Sequence, residues 1–423
     1  MHLTLDMNNA LQEKQRLFCA KKLAPCIKHL HEVHLTGRYE DPASSINLPK
    51  DKHVLTYVEN CAKKVCIPDI LVIIGIGGSD LGTFAVQQAI LGTLNNELGR
   101  KPNVYYADTV DPSAVRDILT LCERAIVAKK EVLLNIISKS GTTMETTANA
   151  AIFLKLFERY SIDFKTHVVI TTDEHTPLWK FSEENDIPKL SIPKSVGGRY
   201  SVLSSVGLFP LHVLGIDCHA LLRGAAEMAE ECVASFDQNP AAQRAAILYS
   251  HLREGEHTHN LFLFSTYLEA LGKWYRQLMA ESLGKKHTGM TPIVSIGTTD
   301  MHSMAQLYLG GPKNIFTTFI CVGAEPEVRV PSHTSQNSIE QIAPVAGKTL
   351  QELRSRTLRE VQQEYSTKKL HFTTTQLASR SPACLGAFLQ LSMMETMYLA
   401  HLLGVNAFDQ PNVEEYKQRS RVR

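Results

Sequence analysis

Short, wholly apolar runs alternate along this chain with longer stretches in which apolar positions recur at helical spacing. A run at 70–74 leads into a helical pattern over 80–92, a strand-like run at 104–107 and a helix near 112–122, with further runs at 132–137 and 167–171. That alternation predicts a parallel sheet with helices on both faces. The helix opened by Thr142 carries Met144, Ala148, Ile152 and Leu156, with Phe153 and Phe157 alongside, as one predicted apolar stripe. A second α/β unit is predicted after Asn239-Pro240, a favourable N-cap and first-turn pair. It has a helix to residue 253 and strands at 261–265, 292–296 and 315–322. Residues 200–231 read as linking helices, 348–367 as a charged helix and 375–403 as an apolar one. The expected organisation is a helical, amphipathic extension at 1–50, α/β units at 51–215 and 216–373, and a C-terminal helical segment at 374–423 that carries Lys417.

Composition narrows the field. The chain has 423 residues, 44% of them apolar, enough for a large core. Its 44 basic and 43 acidic residues give a net charge of +1, which excludes a general basic field for nucleic acid or anionic membrane and makes any anion site local. Residues 1–15 lack the basic and apolar regions of a secretory signal. The nine cysteines include no CxxC pair, which points to reduced thiols and a cytoplasmic location. Segment 383–403 is long enough to span a bilayer, but it contains Gln390, Ser392, Glu395, Thr396 and His401 and is expected to be a core helix.

Two strand-to-helix turns carry the candidate chemistry. Gly75-Ile76-Gly77-Gly78-Ser79-Asp80-Leu81-Gly82 follows the first run, and Ser138-Lys139-Ser140-Gly141-Thr142-Thr143 follows the run at 132–137. Such turns aim backbone N–H groups at an anion. The first has Asp80 where the dinucleotide fingerprint needs glycine, and no P-loop triplet is present, so the pattern suggests phosphate binding without a nucleotide.

Each candidate also has a plainer reading. Serines and threonines at a helix start can simply cap it. Gly197-Gly198-Arg199 can be a surface turn, and Glu281 with Lys285 four residues on can be an exposed helical pair. His302 can be a loop histidine, and Lys417 a solubilising lysine near the end. A metal reading of His29, His31 and His34 with Glu32, or of His257 with His259, lacks HExxH spacing.

Taken together, the segments 75–82, 138–143, 197–205, 277–285 and 408–417 resemble, in order and spacing, the signatures of the phosphoglucose isomerase family in its shorter bacterial form. The chain departs from that pattern at Asn412 and Met301. The resemblance implies two sugar-isomerase-type (SIS) α/β domains, a homodimer with sites assembled across subunits, a small sugar phosphate as partner, and no cofactor or metal. It also implies isomerisation of glucose 6-phosphate and fructose 6-phosphate, a step of glycolysis and gluconeogenesis. By the same resemblance Glu281 moves a proton between C1 and C2, Arg199 stabilises the enediolate, and His302 and Lys417 serve ring opening. Gly78, Ser79, Ser138, Lys139, Ser140, Thr142, Thr143 and Gln410 would hold the substrate and its phosphate, and Glu145 would support the histidine.

The residue types suit that chemistry. One carboxylate can take and return a proton on the same face of the sugar, and a fixed cation can meet enediolate charge. Histidine titrates near neutrality, as ring opening requires. Dual action on mannose 6-phosphate and a non-catalytic sugar-phosphate sensor are the competing readings. A sensor would not need Glu281, Arg199, His302 and Lys417 together.

Overall fold

A computed structural model describes residues 2–7, 10–332 and 344–414. Its strands are β1 (Leu3–Asp6), β2 (Ile70–Ile74), β3 (Asn103–Tyr106), β4 (Val132–Ile137), β5 (Val168–Thr172), β6 (Lys189–Ser191), β7 (Thr258–Leu263), β8 (Thr291–Ile296), β9 (Ile315–Val322) and β10 (Phe372–Leu377). They form two five-stranded sheets, ordered β3-β2-β4-β5-β6 and β1-β10-β9-β7-β8. Every pairing is parallel except β1 with β10.

The continuous apolar runs follow from burial on both faces. Leu71 and Ile73 face a core shared with Leu261 and Leu263, whereas Val72 and Ile74 face a second cluster with Phe153 and Phe157. The strand order then places the ligand end. The chain goes from β2 to β3 on one side and later returns to β4 on the other, so the crevice between β2 and β4 is a topological switch point. Both candidate phosphate turns leave these two strands at their C-terminal ends.

Helix Pro382–Leu403 runs through the core, with Gln390, Ser392, Glu395 and Thr396 all buried. Glu395 explains why an acid is tolerated there. It accepts from Arg244 Nε at 2.5 Å and from Tyr275 Oη at 2.9 Å, while Arg244 also donates to Thr375 Oγ1 at 2.6 Å. No helix among the described residues is long and apolar enough to cross a membrane.

Several expectations need correction. The N-terminal segment is not all helix, because Leu3–Asp6 adds an antiparallel edge strand to the second sheet. Residues 372–377, which the sequence places at the edge of an apolar helix, form β10, with Thr373 and Thr375 turned into the interior. Its threonines give it little apolar signal, and a division at 373/374 cuts the strand. On helix Met144–Arg159 the buried face is Thr146, Asn149, Ala150, Phe153, Leu156 and Phe157. Of the predicted stripe, Phe153, Leu156 and Phe157 pack, whereas Met144 and Ile152 are 66% and 44% exposed, so the buried face is shifted toward Thr146, Asn149 and Ala150.

Candidate active site

The turn after β2 is a single 3-10 turn, Gly77–Ser79, ahead of helix Leu81–Leu91. It packs backbone to backbone on a second short turn, Gly198–Tyr200. A Cβ on Gly78 would lie 2.3 Å from the Gly198 carbonyl carbon, so only glycine permits this approach. Ser201 Oγ donates to the Gly78 carbonyl at 3.3 Å and locks the two turns together. Beneath them Asp80 is 2% exposed, and its Oδ1 has no hydrogen-bond partner. Burial, reinforced by Asp108, holds its carboxyl well above the usual carboxylate range.

In the turn after β4 the hydroxyls face one another. Ser138 Oγ and Thr143 Oγ1 are 3.0 Å apart, and Thr142 Oγ1 donates to Ser140 Oγ at 3.2 Å. Thr143 occupies the N-cap of helix Met144–Arg159, yet its side chain makes no cap hydrogen bond. The capping alternative therefore fails for this residue, and the hydroxyl cluster stands at a helix N-terminus suited to an anion. Lys139 does something different. Its ammonium donates to the carbonyls of Lys194 and Val196 at 2.7 Å each, tying this turn to the segment that leads into Gly197, and burial lowers its pKa. A cavity of about 760 Å³ adjoins Lys139, Ser140, Asp173 and Thr176, but Glu281 and Arg199 do not line it.

Arg199 is the hub. It is 4% exposed and donates from Nε to Ser282 Oγ at 2.8 Å, and from Nη2 to the carbonyls of Ala407 and Asp409 at 2.6 and 3.1 Å. Its Nη1 lies 3.3 Å from Glu281 Oε2. The other carboxylate oxygen of Glu281 accepts from Gln277 Nε2 at 2.7 Å. Gln277 was not singled out from sequence, although it lies one helical turn before Glu281 on helix Glu269–Leu283. It also sits over the first turn, because a Cβ on Gly77 would come within 2.9 Å of its Nε2.

The exposed Glu281–Lys285 pair is not formed. Lys285 is buried beyond the helix end, donating to Asp409 Oδ1 at 2.8 Å and to the Asn406 carbonyl. Arg199 and Lys285 thus dock the segment 406–409 from two directions, and Tyr200 packs against Phe408 with the rings tilted and their centroids 5.6 Å apart. Gln410 follows directly, its carbonyl accepting from the N–H groups of Val413 and Glu414. Lys417 lies outside the described residues.

Among the described residues no hydrogen bond or ion pair joins His302 to this cluster. The histidine is exposed in helix Thr299–Ser303, just past the C-terminal end of edge strand β8. Glu145 is half-buried in the first turn of helix Met144–Arg159, and among the described residues no hydrogen bond joins it to His302. Met301 packs against the aromatic cluster of the second sheet, and Asn412 is exposed. The histidine groups weighed as metal sites do not assemble ligand sets among the described residues. His259 is fully buried against Thr318 Oγ1, and burial pushes its pKa down to about 3.

The family profile described as Phosphoglucose isomerase matches residues 59–422. This chain is a member of the phosphoglucose isomerase family. A glucose-6-phosphate isomerase of Rubrobacter xylanophilus is 33% identical over 390 residues, covering 90% of this chain and 88% of the relative. Among solved structures, a hypothetical protein of Thermus thermophilus superposes with a TM-score of 0.86 at 30% identity, covering 99% of both chains. A glucose-6-phosphate isomerase of Chlamydia trachomatis shares the fold, with a TM-score of 0.72 at 21% identity, over 87% of this chain and 71% of the other. The phosphoglucose isomerase profile takes in both turns, the Arg199–Glu281 cluster and the docked C-terminal segment.

Proposed function

We propose that this chain interconverts glucose 6-phosphate and fructose 6-phosphate through an enediol(ate). The observation that carries the reading is Glu281, held at one oxygen by Gln277 and at the other by a buried Arg199, beside turns that leave the sheet at its switch point. Glu281 takes the proton from C2 of the open-chain aldose and returns it to C1 on the same face. Arg199 has five N–H donors, of which one serves Ser282, two serve backbone carbonyls and one serves Glu281. The fifth, on Nη1, is placed beside the base to meet charge developing on the enediolate oxygen. Ser79 of the first turn and Ser138, Ser140, Thr142 and Thr143 of the second hold the phosphate, with Lys139 contributing through its backbone because its ammonium is engaged elsewhere.

His302 and Lys417 serve ring opening in this reading. The exposure of His302, with no bond to Glu281 among the described residues, supports a homodimer in which the histidine is supplied across the subunit interface. The nine free cysteines support a reducing, cytoplasmic setting. In this reading the two sheets are the centres of two SIS-type units, 51–215 and 216–373, the second drawing β1 and the end of β10 from outside those bounds.

A coupled assay with fructose 6-phosphate and with mannose 6-phosphate tests the assignment. Turnover of fructose 6-phosphate is expected, and binding without turnover would make the chain a sensor. The mannose 6-phosphate arm defines the C2 specificity.

A further inference from the structure

At the N-terminal ends of the second sheet's parallel strands, roughly 20 Å along the six-residue β7 from its ligand end, three side chains converge. His251 lies in the last turn of helix Pro240–Arg253, Glu256 in the connection into β7, and His371 immediately before β10. His251 and Glu256 are 4% and 7% exposed, and one donor atom from each of the three lies within 4.8 Å of the others. His251 Nε2 is 2.9 Å from the Ala10 carbonyl, which can only accept, so that nitrogen carries a proton, and in the neutral ring Nδ1 is the atom left to bind a cation.

That Nδ1 faces Glu256 Oε2 at 3.3 Å, and both atoms are buried without a hydrogen-bond partner. Two such atoms facing each other need a positive charge between them, either a proton or a metal cation. Nitrogen and oxygen ligands about 2.0–2.1 Å from a tetrahedral zinc ion are themselves about 3.3–3.4 Å apart, which matches the spacing. We propose that His251 Nδ1, Glu256 Oε2 and His371 form a binding site for a zinc-class divalent cation, separate from the isomerase site.

His371 completes the set. It now donates from Nδ1 to Glu256 Oε1 at 2.6 Å, and on metal binding it would exchange this contact for the ion, carrying its ring proton on Nε2. The fourth position falls to water or to Glu254, whose Oε2 is 3.7 Å from His251 Nδ1. The ion would fasten together the helix end, the starts of β7 and β10 and, through Ala10, the N-terminal segment. Its role is therefore to stabilise the second sheet. The three ligands are far apart in sequence and share no motif spacing.

The test uses the full chain, stripped with EDTA and titrated with zinc chloride while uptake and thermal unfolding are followed. One zinc per chain is expected, with a rise in unfolding temperature. His371→Ala, at a half-exposed position, should weaken uptake roughly tenfold or more and leave the isomerase turnover of metal-free protein unchanged. Glu256→Gln should weaken uptake similarly. His167→Ala, which disrupts a second cluster with Cys66 and Glu131, should bind zinc like the parent. Absence of saturable uptake by the parent would overturn the proposal and leave a proton between His251 and Glu256. Uptake that survives His371→Ala, or is lost only in His167→Ala, would overturn it equally.

Discussion

Nη1 of Arg199 stands 3.3 Å from Oε2 of Glu281, across a junction formed by residues more than eighty positions apart. Because Arg199 is buried and its other contacts are to Ser282, Ala407 and Asp409, the same side chain sets the base and the C-terminal segment. Replacing it by Ala should lower kcat by about 10²- to 10³-fold if it meets enediolate charge. Arg199→Lys should recover little, since a point charge cannot replace the fork. A change confined to KM would make Arg199 a substrate clamp instead.

Asp80 makes stability depend on pH. Its folded-state pKa is raised by burial, so the folded chain holds this proton more tightly than the unfolded chain does. The contribution is full below the unfolded value, near 4, and is lost as pH rises through the folded value, by up to about 1.4 kcal/mol per pH unit. Asp80→Asn should therefore flatten the profile and gain on the parent as pH rises. Denaturant unfolding at pH 5 and pH 8 checks this, and an unchanged slope would contradict it. Some slope should persist, because Asp108 is shifted in the same direction.

Glu395 and Arg244 form a buried pair, and removing one partner leaves the other charge uncompensated. Glu395→Ala should cost about 3–5 kcal/mol. Arg244→Met together with Glu395→Leu should cost much less than the single change. Equal losses would mean that Tyr275 and Thr375, rather than the charge pair, carry the network.

Much of this was legible in the residues. The run at 70–74 and the run at 132–137 became β2 and β4 with the same bounds, and turns of small, hydroxylated residues after them marked the switch point. Local pattern failed where tertiary contacts decide the outcome. Gln277 looks like any polar helical residue until the fold sets it over Gly77. The threonines of β10 carry no apolar alternation, yet Thr375 is buried against Arg244. Lys285 pairs with Asp409 rather than Glu281 because the helix ends before it and the chain returns from residue 403 onward. The stripe over 144–157 had helical spacing, but only its Phe153, Leu156 and Phe157 pack while Met144 and Ile152 are exposed, since periodicity fixes a face's existence and packing fixes its edges.

The central claim is that Glu281 is the base that moves the C1–C2 proton. Glu281→Gln keeps the shape and can still contact Gln277 and Arg199, so the decisive measurement is kcat of this variant on fructose 6-phosphate, paired with the affinity of the same protein for that sugar. The account predicts a fall in kcat of about 10²- to 10⁴-fold with binding retained. Turnover near that of the parent would contradict it.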